Sequence, residues 1–320
     1  MITGDHHFEL LPTMDAADGA LFGIGLGIGL DEDGFAPGST DWAVQDSENS
    51  QNGSTAFGRD RLLGPTWSWQ LHVNMDDETG ALAALRSFRK AWHWTHGRQT
   101  PGMVTALRYQ LDGEVRRIYG RPRRFEAPPD NKILSGYVPV SVDFKCVDGF
   151  VYSDTMQSVT LSLTSQANIG SADSGGGFVF PVTFPADLLP ATQQQSQFLV
   201  EGDENAYPII RFNGPIVNPS LSTDDWIVSL DYEIPDGQWV EIDTRPWRNT
   251  VLLNGGGLEA GLLSALNSGG AGTSLAGRLG HRQRLSKVTF KPGRFQAIYK
   301  GYSSNAATCE VRWAPTWSSY

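Results

Sequence analysis

The chain has 320 residues, 40% hydrophobic and 19% charged, which is enough apolar material for about two domains and too little charge for a disordered chain. A formal net charge of −10 argues against a general nucleic-acid binder, which needs a basic face. Two distant cysteines, Cys146 and Cys309, cannot build a disulfide framework and read as reduced, partly buried thiols. The opening MITGDHHFELL lacks the basic stretch before an apolar run that marks a secretory leader. The longest Gly-apolar stretch, Ala20–Leu30, falls short of the roughly 20 apolar residues a spanning helix needs. Synthesis and folding in a cytoplasm, with no membrane insertion, is the expectation.

In chain order, GIGLGIG (Gly23–Gly29) comes first. A dinucleotide fingerprint needs G-x-G-x-x-G between a strand and a helix, so that backbone amides meet a pyrophosphate. Here the glycines strictly alternate and DEDG follows, so a flexible or closely packed strand is the better reading. WSWQLHVN alternates, with Trp67, Trp69, Leu71 and Val73 on one side and Ser68, Gln70, His72 and Asn74 on the other. The spacing of Leu82, Leu85, Phe88 and Trp92 predicts a helix over 76–93, with Asp76, Asp77 and Glu78 at its start and Arg86, Arg89, Lys90 and His93 in its last turns. WHWTH offers His93 and His96, with His72 as a possible neighbour, but no further ligand completes a metal set. RRIYGRPRRFE clusters Arg116, Arg117, Arg121, Arg123 and Arg124 around Tyr119 and Phe125. In so acidic a chain this favours a protein interface over phosphate binding. YVPVSVDFKC repeats the strand alternation through Val138, Val140, Val142, Phe144 and Cys146.

After Ser153–Gln157 the texture changes to short strands separated by turn signals, which predicts an antiparallel sandwich. SQANIGSADSGGG and PATQQQSQ read as long loops. DWIVSLDYEI and QWVEIDT, joined by PDG, read as a β-hairpin whose acids, Asp231, Glu233, Glu241 and Asp243, lie on its wet face. Two carboxylates across a cleft could mimic a glycosidase pair, but period-2 alternation already accounts for them. No G-x-S-x-G elbow appears. YPIIRFNGPIVNPSL, residues 207–221, reads as a strand entered through Pro208, bent at NGP and turning again at NPSL before Trp226. No catalytic, cofactor-binding or metal-ligating residue is assigned, and no cofactor is expected.

GGFVFPVTFP (Gly176–Pro185), YPIIRFNGPIVNPSL, VEIDTR and TVLLNGG, in that order, make the chain from Thr155 to Tyr320 resemble the distal tail protein family of long-tailed siphophages. VTFKPGRFQ and CEVRWAPTW fit the family's last hairpin, with a departure at Phe295, where the family often has Asn. SVDFKCVDGFVYS looks like the exit strand of the family's belt domain, and the style is most similar to the actinobacterial phage versions, often described as minor tail proteins. The resemblance implies a mainly β protein with a split-barrel-like belt domain carrying one helix over 1–154 and a galectin-like β-sandwich over 155–320. It further implies a hexameric ring at the distal end of the virion tail, between the tail tube protein and the tail-tip or baseplate hub proteins. The ring's lumen would pass the tape measure protein and DNA. No enzymatic activity and no specific nucleic acid is implied. A ring needs two different adhesive surfaces per subunit. Trp67, Trp69, Trp92, Trp94 and the arginine cluster are candidate material for them, the alternative being that these tryptophans fill the domain's own core. A second reading is a carbohydrate-binding module using Trp226, Trp239 and Trp247 as aromatic platforms.

Overall fold

The computed structural model describes residue 2 and residues 4–11, 19–39, 41–49, 54–58, 60–99, 101–128, 131–163, 195–255, 272–280, 284–302 and 307–318. The GGFVFPVTFP strand, the SQANIGSADSGGG loop and the start of PATQQQSQ lie outside them. The chain forms two compact units, one built on Met1–Asp154 with the closing Thr316–Tyr320, the other on Thr155–Glu259 and Ser268–Pro315. Both are mainly β.

The first unit holds an antiparallel sheet in the order Ala20–Gly23, His7–Leu10, Thr105–Leu111, Glu114–Glu126, Tyr137–Cys146, Thr66–Asn74 and Ile28–Ala36. The two strands with the clearest alternation pair with each other. Val73 lies opposite Val138, Leu71 opposite Val140, Trp69 opposite Val142 and Trp67 opposite Phe144, all on the buried side. A flat sheet would hold the strands of Phe8 and Trp69, four spacings of about 4.8 Å apart, at about 19 Å. Their ring centroids are 5.4 Å apart. Trp67 and Tyr109, three spacings apart, are 5.0 Å from ring to ring. The sheet therefore coils until its two ends face each other across one aromatic core.

The helix runs over Glu78–His93 with Asp77 as its N-cap, whose carboxylate accepts from the Gly80 amide at 2.8 Å. Its inward stripe is Ala81, Leu85, Phe88 and Trp92; the expected Leu82 is only half-buried. The Phe88 and Trp92 rings lie 5.6 and 6.0 Å from that of Phe22. Between Ile28–Ala36 and Thr66–Asn74 the chain makes a two-stranded ribbon that sequence periodicity does not signal. Trp42–Ala43 pairs with Arg61–Leu62, and Ser47–Asn49 with Ser54–Ala56.

In the second unit, one sheet runs Gln157–Ser162, Thr308–Trp313, Ile209–Asn213, Trp239–Asp243, Thr250–Leu253 and Thr273–Ser274. The other runs Gln195–Val200, Gly293–Tyr302, Ile216–Ser222 and Ile227–Ser229, with Glu233–Ile234 also on Ile216–Ser222. Phe212, Val240 and Ile242 from the first meet Leu221, Val228 and Tyr299 from the second in one core, and the Phe212 and Tyr299 rings stack at 5.8 Å. All pairs are antiparallel, so the sheets form a sandwich.

Five local expectations change. DWIVSLDYEI is two short strands that fold back on Ile216–Ser222, with Ser222 opposite Ile227 and Ile216 opposite Ile234. Trp239–Asp243 is already paired on both edges, by Ile209–Asn213 and Thr250–Leu253, so the PDG turn links the two sheets and no hairpin forms there. Gly293–Tyr302 and Thr308–Trp313 likewise belong to opposite sheets instead of one closing hairpin. Gln195–Gln197, read as loop, opens a strand. In YPIIRFNGPIVNPSL, Pro208 precedes its strand as expected, and NGP, with a cis Gly214–Pro215 bond, carries the chain from one sheet to the other. NPSL is no turn: it lies inside Ile216–Ser222 at a register shift, where Pro219 needs no ladder donor.

Candidate functional site

The tryptophans proposed as interface material are interior. Trp67, Trp69 and Trp92 are buried because the inward side of Thr66–Asn74 and the helix stripe converge on the coiled sheet's core, and Trp94, the helix C-cap, is buried as well. Of the arginine cluster, only part faces outward. Glu114–Glu126 is a strand, so its side chains separate to its two faces. Arg117 binds Asp154, Arg116 pairs with Glu114 and lies over the Trp317 ring at 4.8 Å, Arg124 pairs with Glu126, and Arg123 is exposed.

Sequence reasoning missed Arg108, the centre of this network. Its guanidinium donates to both Asp154 oxygens, at 2.8 and 2.7 Å, and to Glu9 at 2.9 Å. Three separated segments meet there, so no local spacing could have revealed it. Burial pulls the Asp154 carboxyl upward, but the hydrogen bonds and charges of Arg108 and Arg117 outweigh it and hold the group below the usual carboxylate range. A depressed folded pKa stabilises above the unfolded value and loses that stabilisation as pH falls through the folded one. Asp154→Asn is accordingly expected to cost about 2 kcal/mol at pH 7, with the cost shrinking toward pH 3. Urea titrations at the two pH values check this, and an equal cost at both would remove the charge account.

Asp148 has the opposite sign. It accepts from the Tyr152 hydroxyl at 2.7 Å and the Phe150 amide at 3.2 Å, and burial, only partly offset by these bonds, raises its carboxyl to about 6. A raised folded pKa stabilises below the unfolded value, and that stabilisation is lost as pH rises through about 6. Asp148→Asn is expected to gain about 1–2 kcal/mol over the native chain at pH 8 and nothing at pH 4, in the same titrations. A variant that is no more stable at pH 8 than at pH 4, relative to the native chain, refutes it. Both cysteines are buried, and burial first, then a neighbouring carboxylate (Asp148 for Cys146, Glu310 for Cys309), pushes each thiol up, away from reactivity.

Of the alternating glycines, Gly23, Gly27 and Gly29 make close approaches, while a Cβ at Gly25 would meet open space. A Cβ at Gly23 would sit 2.4 Å from the His6 carbonyl oxygen, and one at Gly29 would sit 2.4 Å from His72 Nε2. A turn and the strand Ile28–Ala36 follow Gly23, so no helix N-terminus stands there to hold a phosphate. His72 Nδ1 contacts Asp31 at 2.5 Å and its ring stacks on Tyr137 at 5.6 Å, while His93 stacks on Phe125 at 6.3 Å. The side chain of His96 lies outside the described residues. Among the described residues, no group of three or more His, Cys, Asp or Glu is placed to hold a metal ion.

The four acids of the second unit do not share a wet face. Asp231 and Glu233 are exposed, whereas Glu241 and Asp243 are 5% and 4% exposed. Trp239–Asp243 does alternate, but its outward side is occupied: Arg211 reaches Glu241 at 3.3 Å, and Arg245 clamps Asp243 through Nε at 2.9 and 3.1 Å. Burial raises the Glu241 carboxyl despite the opposing charge of Arg211, and Arg248 is lowered by burial and by Arg245. These ion pairs satisfy buried charge and leave no free carboxylate pair across a cleft. Trp226 is core, its indole N–H donating to the Thr289 carbonyl at 2.8 Å. The Trp239 ring lies under the Arg211 guanidinium at 5.1 Å and its N–H donates to the Gly255 carbonyl at 3.2 Å, while Trp247 packs edge-on to Tyr207.

No protein-family model matches the chain, and no curated protein matches it in sequence. Solved structures do. The crystal structure of the phage SPP1 Dit protein, described as a paradigm of the hub adsorption apparatus in phages infecting Gram-positive hosts, aligns at TM-score 0.52. The alignment covers 90% of this chain and 93% of that chain at 11% identity. The fold is that of a phage Dit protein. A chain of the phage p2 baseplate in its activated conformation with Sr shares this Dit fold at TM-score 0.51 and 12% identity, over 97% of this chain and 98% of that chain. The corresponding baseplate with Ca aligns at TM-score 0.50 and 12% identity, over 95% and 97%. The Dit-like match runs through both units, and it is carried by backbone arrangement, since so few residues are shared.

Proposed function

We propose that this chain is a structural component of a siphophage tail tip: a distal tail protein that connects the tail tube protein to the tail-tip or baseplate hub proteins. The observation that carries the reading is the match to Dit and baseplate chains over at least 90% of this chain and 93% of each partner, coinciding with the ordered motifs of residues 155–320. Fold alone hosts many functions; the ordered motifs add a likeness in sequence to the likeness in backbone. In this reading the first unit closes a hexameric ring whose lumen passes the tape measure protein and DNA, the second is a galectin-like sandwich, and the subunit resides in the virion at the distal end of the tail. The assignment to the actinobacterial type rests on the sequence motifs.

The role is non-enzymatic, so zymography of the purified chain on host envelope is expected to be blank, and a clear band overturns that part. A glycan-binding role has less support, since Trp226 is buried and the rings of Trp239 and Trp247 are engaged by Arg211 and Tyr207. Binding on a glycan array would reinstate it. The deciding experiment is electron microscopy of particles with this subunit labelled. Label at the distal end of the tail is expected; label on the capsid, along the tube or nowhere on the particle refutes the reading.

A further inference from the structure

Arg98, which lies outside the RRIYGRPRRFE motif, folds back onto it. Trp94 caps the helix Glu78–His93 in the left-handed region, at φ 35° and ψ 59°, which a bulky residue enters only where its surroundings hold it. Its buried ring lies so close to Gly97 that a Cβ there would sit 2.1 Å from Cε2. The short helix Thr95–Gln99 follows, and from it Arg98 Nη2 donates to the carbonyls of Pro122 and Arg123, at 3.2 and 2.9 Å. Between Pro122 and Phe125 the strand Glu114–Glu126 shifts register against Tyr137–Cys146, and such a bulge re-aims side chains. Arg124 pairs with Glu126, while Arg123 is exposed. Arg121 Nε donates to the Met103 carbonyl at 2.5 Å.

Three guanidiniums thus stand within electrostatic reach of one another, two of them oriented by carbonyl oxygens that carry no formal charge. Burial, then the charge of Arg123, lowers the pKa of Arg98; burial, then Arg123 and Arg98, lowers that of Arg121. The strand's other arginines, Arg116, Arg117 and Arg124, each reach a carboxylate. The net charge of −10 is a sum over the chain, and at this bulge the local balance is reversed. Positive forks fixed in place before a partner arrives are suited to an oxyanion. A phosphate group brings roughly two negative charges and three acceptor oxygens, so it engages more than one fork where a single carboxylate engages one.

We propose that Arg98, Arg121 and Arg123 form a binding site for a phosphate group. The site neither needs nor implies the tail-tip role, so the two can fail independently.

Titration calorimetry of the full chain in a phosphate-free buffer tests it, with inorganic phosphate, an oligothymidylate and a hexaglutamate peptide as separate probes. Saturable binding of inorganic phosphate supports the site and assigns it to a small phosphate. Binding of oligothymidylate alone supports it and assigns it to a phosphodiester chain. Arg123→Gln alters an exposed side chain, so its thermal midpoint is expected to match the native chain while phosphate binding weakens about tenfold. Arg98→Lys keeps the charge without the fork and is expected to weaken binding less than Arg98→Gln. Arg124→Gln, beside the site, is expected to bind as the native chain does. The inference is overturned if neither phosphate probe binds, or if Arg123→Gln binds as the native chain does. It is equally overturned if Arg124→Gln weakens binding as much as Arg123→Gln, or if hexaglutamate binds more tightly than both phosphate probes.

Discussion

Trp69→Ala is expected to destabilise the first unit by about 4 kcal/mol, near the top of the range for single core substitutions. The side chain is fully buried, and its ring meets those of Phe8, Phe22, Phe35, Trp67 and Trp92 at centroid distances of 5.4 to 6.2 Å. Those partners come from three strands besides its own and from the helix, so deletion opens a cavity where the two ends of the coiled sheet meet. Backbone pairing on every side restrains collapse into that space, which keeps the cavity cost high. Trp69→Phe should lose less, about 1–2 kcal/mol, since it retains a ring and removes a buried indole N–H that has no hydrogen-bond partner among the described residues. Guanidinium unfolding followed by near-ultraviolet dichroism gives both values. A loss under about 1 kcal/mol for the alanine variant would mean that the core repacks freely and that the coiling does not depend on this ring.

Asp243→Ala should cost the second unit about 3–5 kcal/mol. Asp243 and Arg245 have side chains only 6% and 5% exposed, and the carboxylate also accepts the Arg245 backbone N–H at 3.1 Å. Removing the acid strands a guanidinium away from water. Replacing both, as Asp243→Val/Arg245→Met, should recover at least half of that loss, because no uncompensated charge remains. Little dependence on salt is expected, since a buried pair is poorly screened. The double-mutant cycle is the decisive measurement: if the double variant loses as much as the two single variants added together, the pair is not coupled and the account is wrong.

How far the sequence could be read depended on whether its signals were local. Thr66–Asn74 and Tyr137–Cys146 alternate without interruption, and the structure makes them neighbours with their apolar sides aligned. The helix was legible to within two residues, from acids at its start and a stripe of apolar spacing. Pairing was not legible. The PDG turn carries a hairpin signal, yet the strands on either side already have partners from elsewhere in the chain, and those settle the connection. Alternation put Glu241 and Asp243 correctly on the outward side of their strand, but nothing local announced the arginines that cover them, Arg211 in a neighbouring strand and Arg245 beyond the strand end. The ribbon at 41–63 was invisible for a related reason: its apolar residues face outward and follow no core-facing period.

The last strand carries a consequence of its own. Thr316–Trp317 pairs with Val151–Tyr152, so the polypeptide leaves the first unit at residue 154 and returns to it after residue 315. Topologically the second unit is an insertion within the first. During synthesis the first unit emerges early, yet it cannot make this strand pairing until Thr316–Trp317 clears the ribosome, after the whole sandwich has been translated. A stop codon ahead of Thr316 therefore injures the unit that was made first, although every residue of its other strands has been translated.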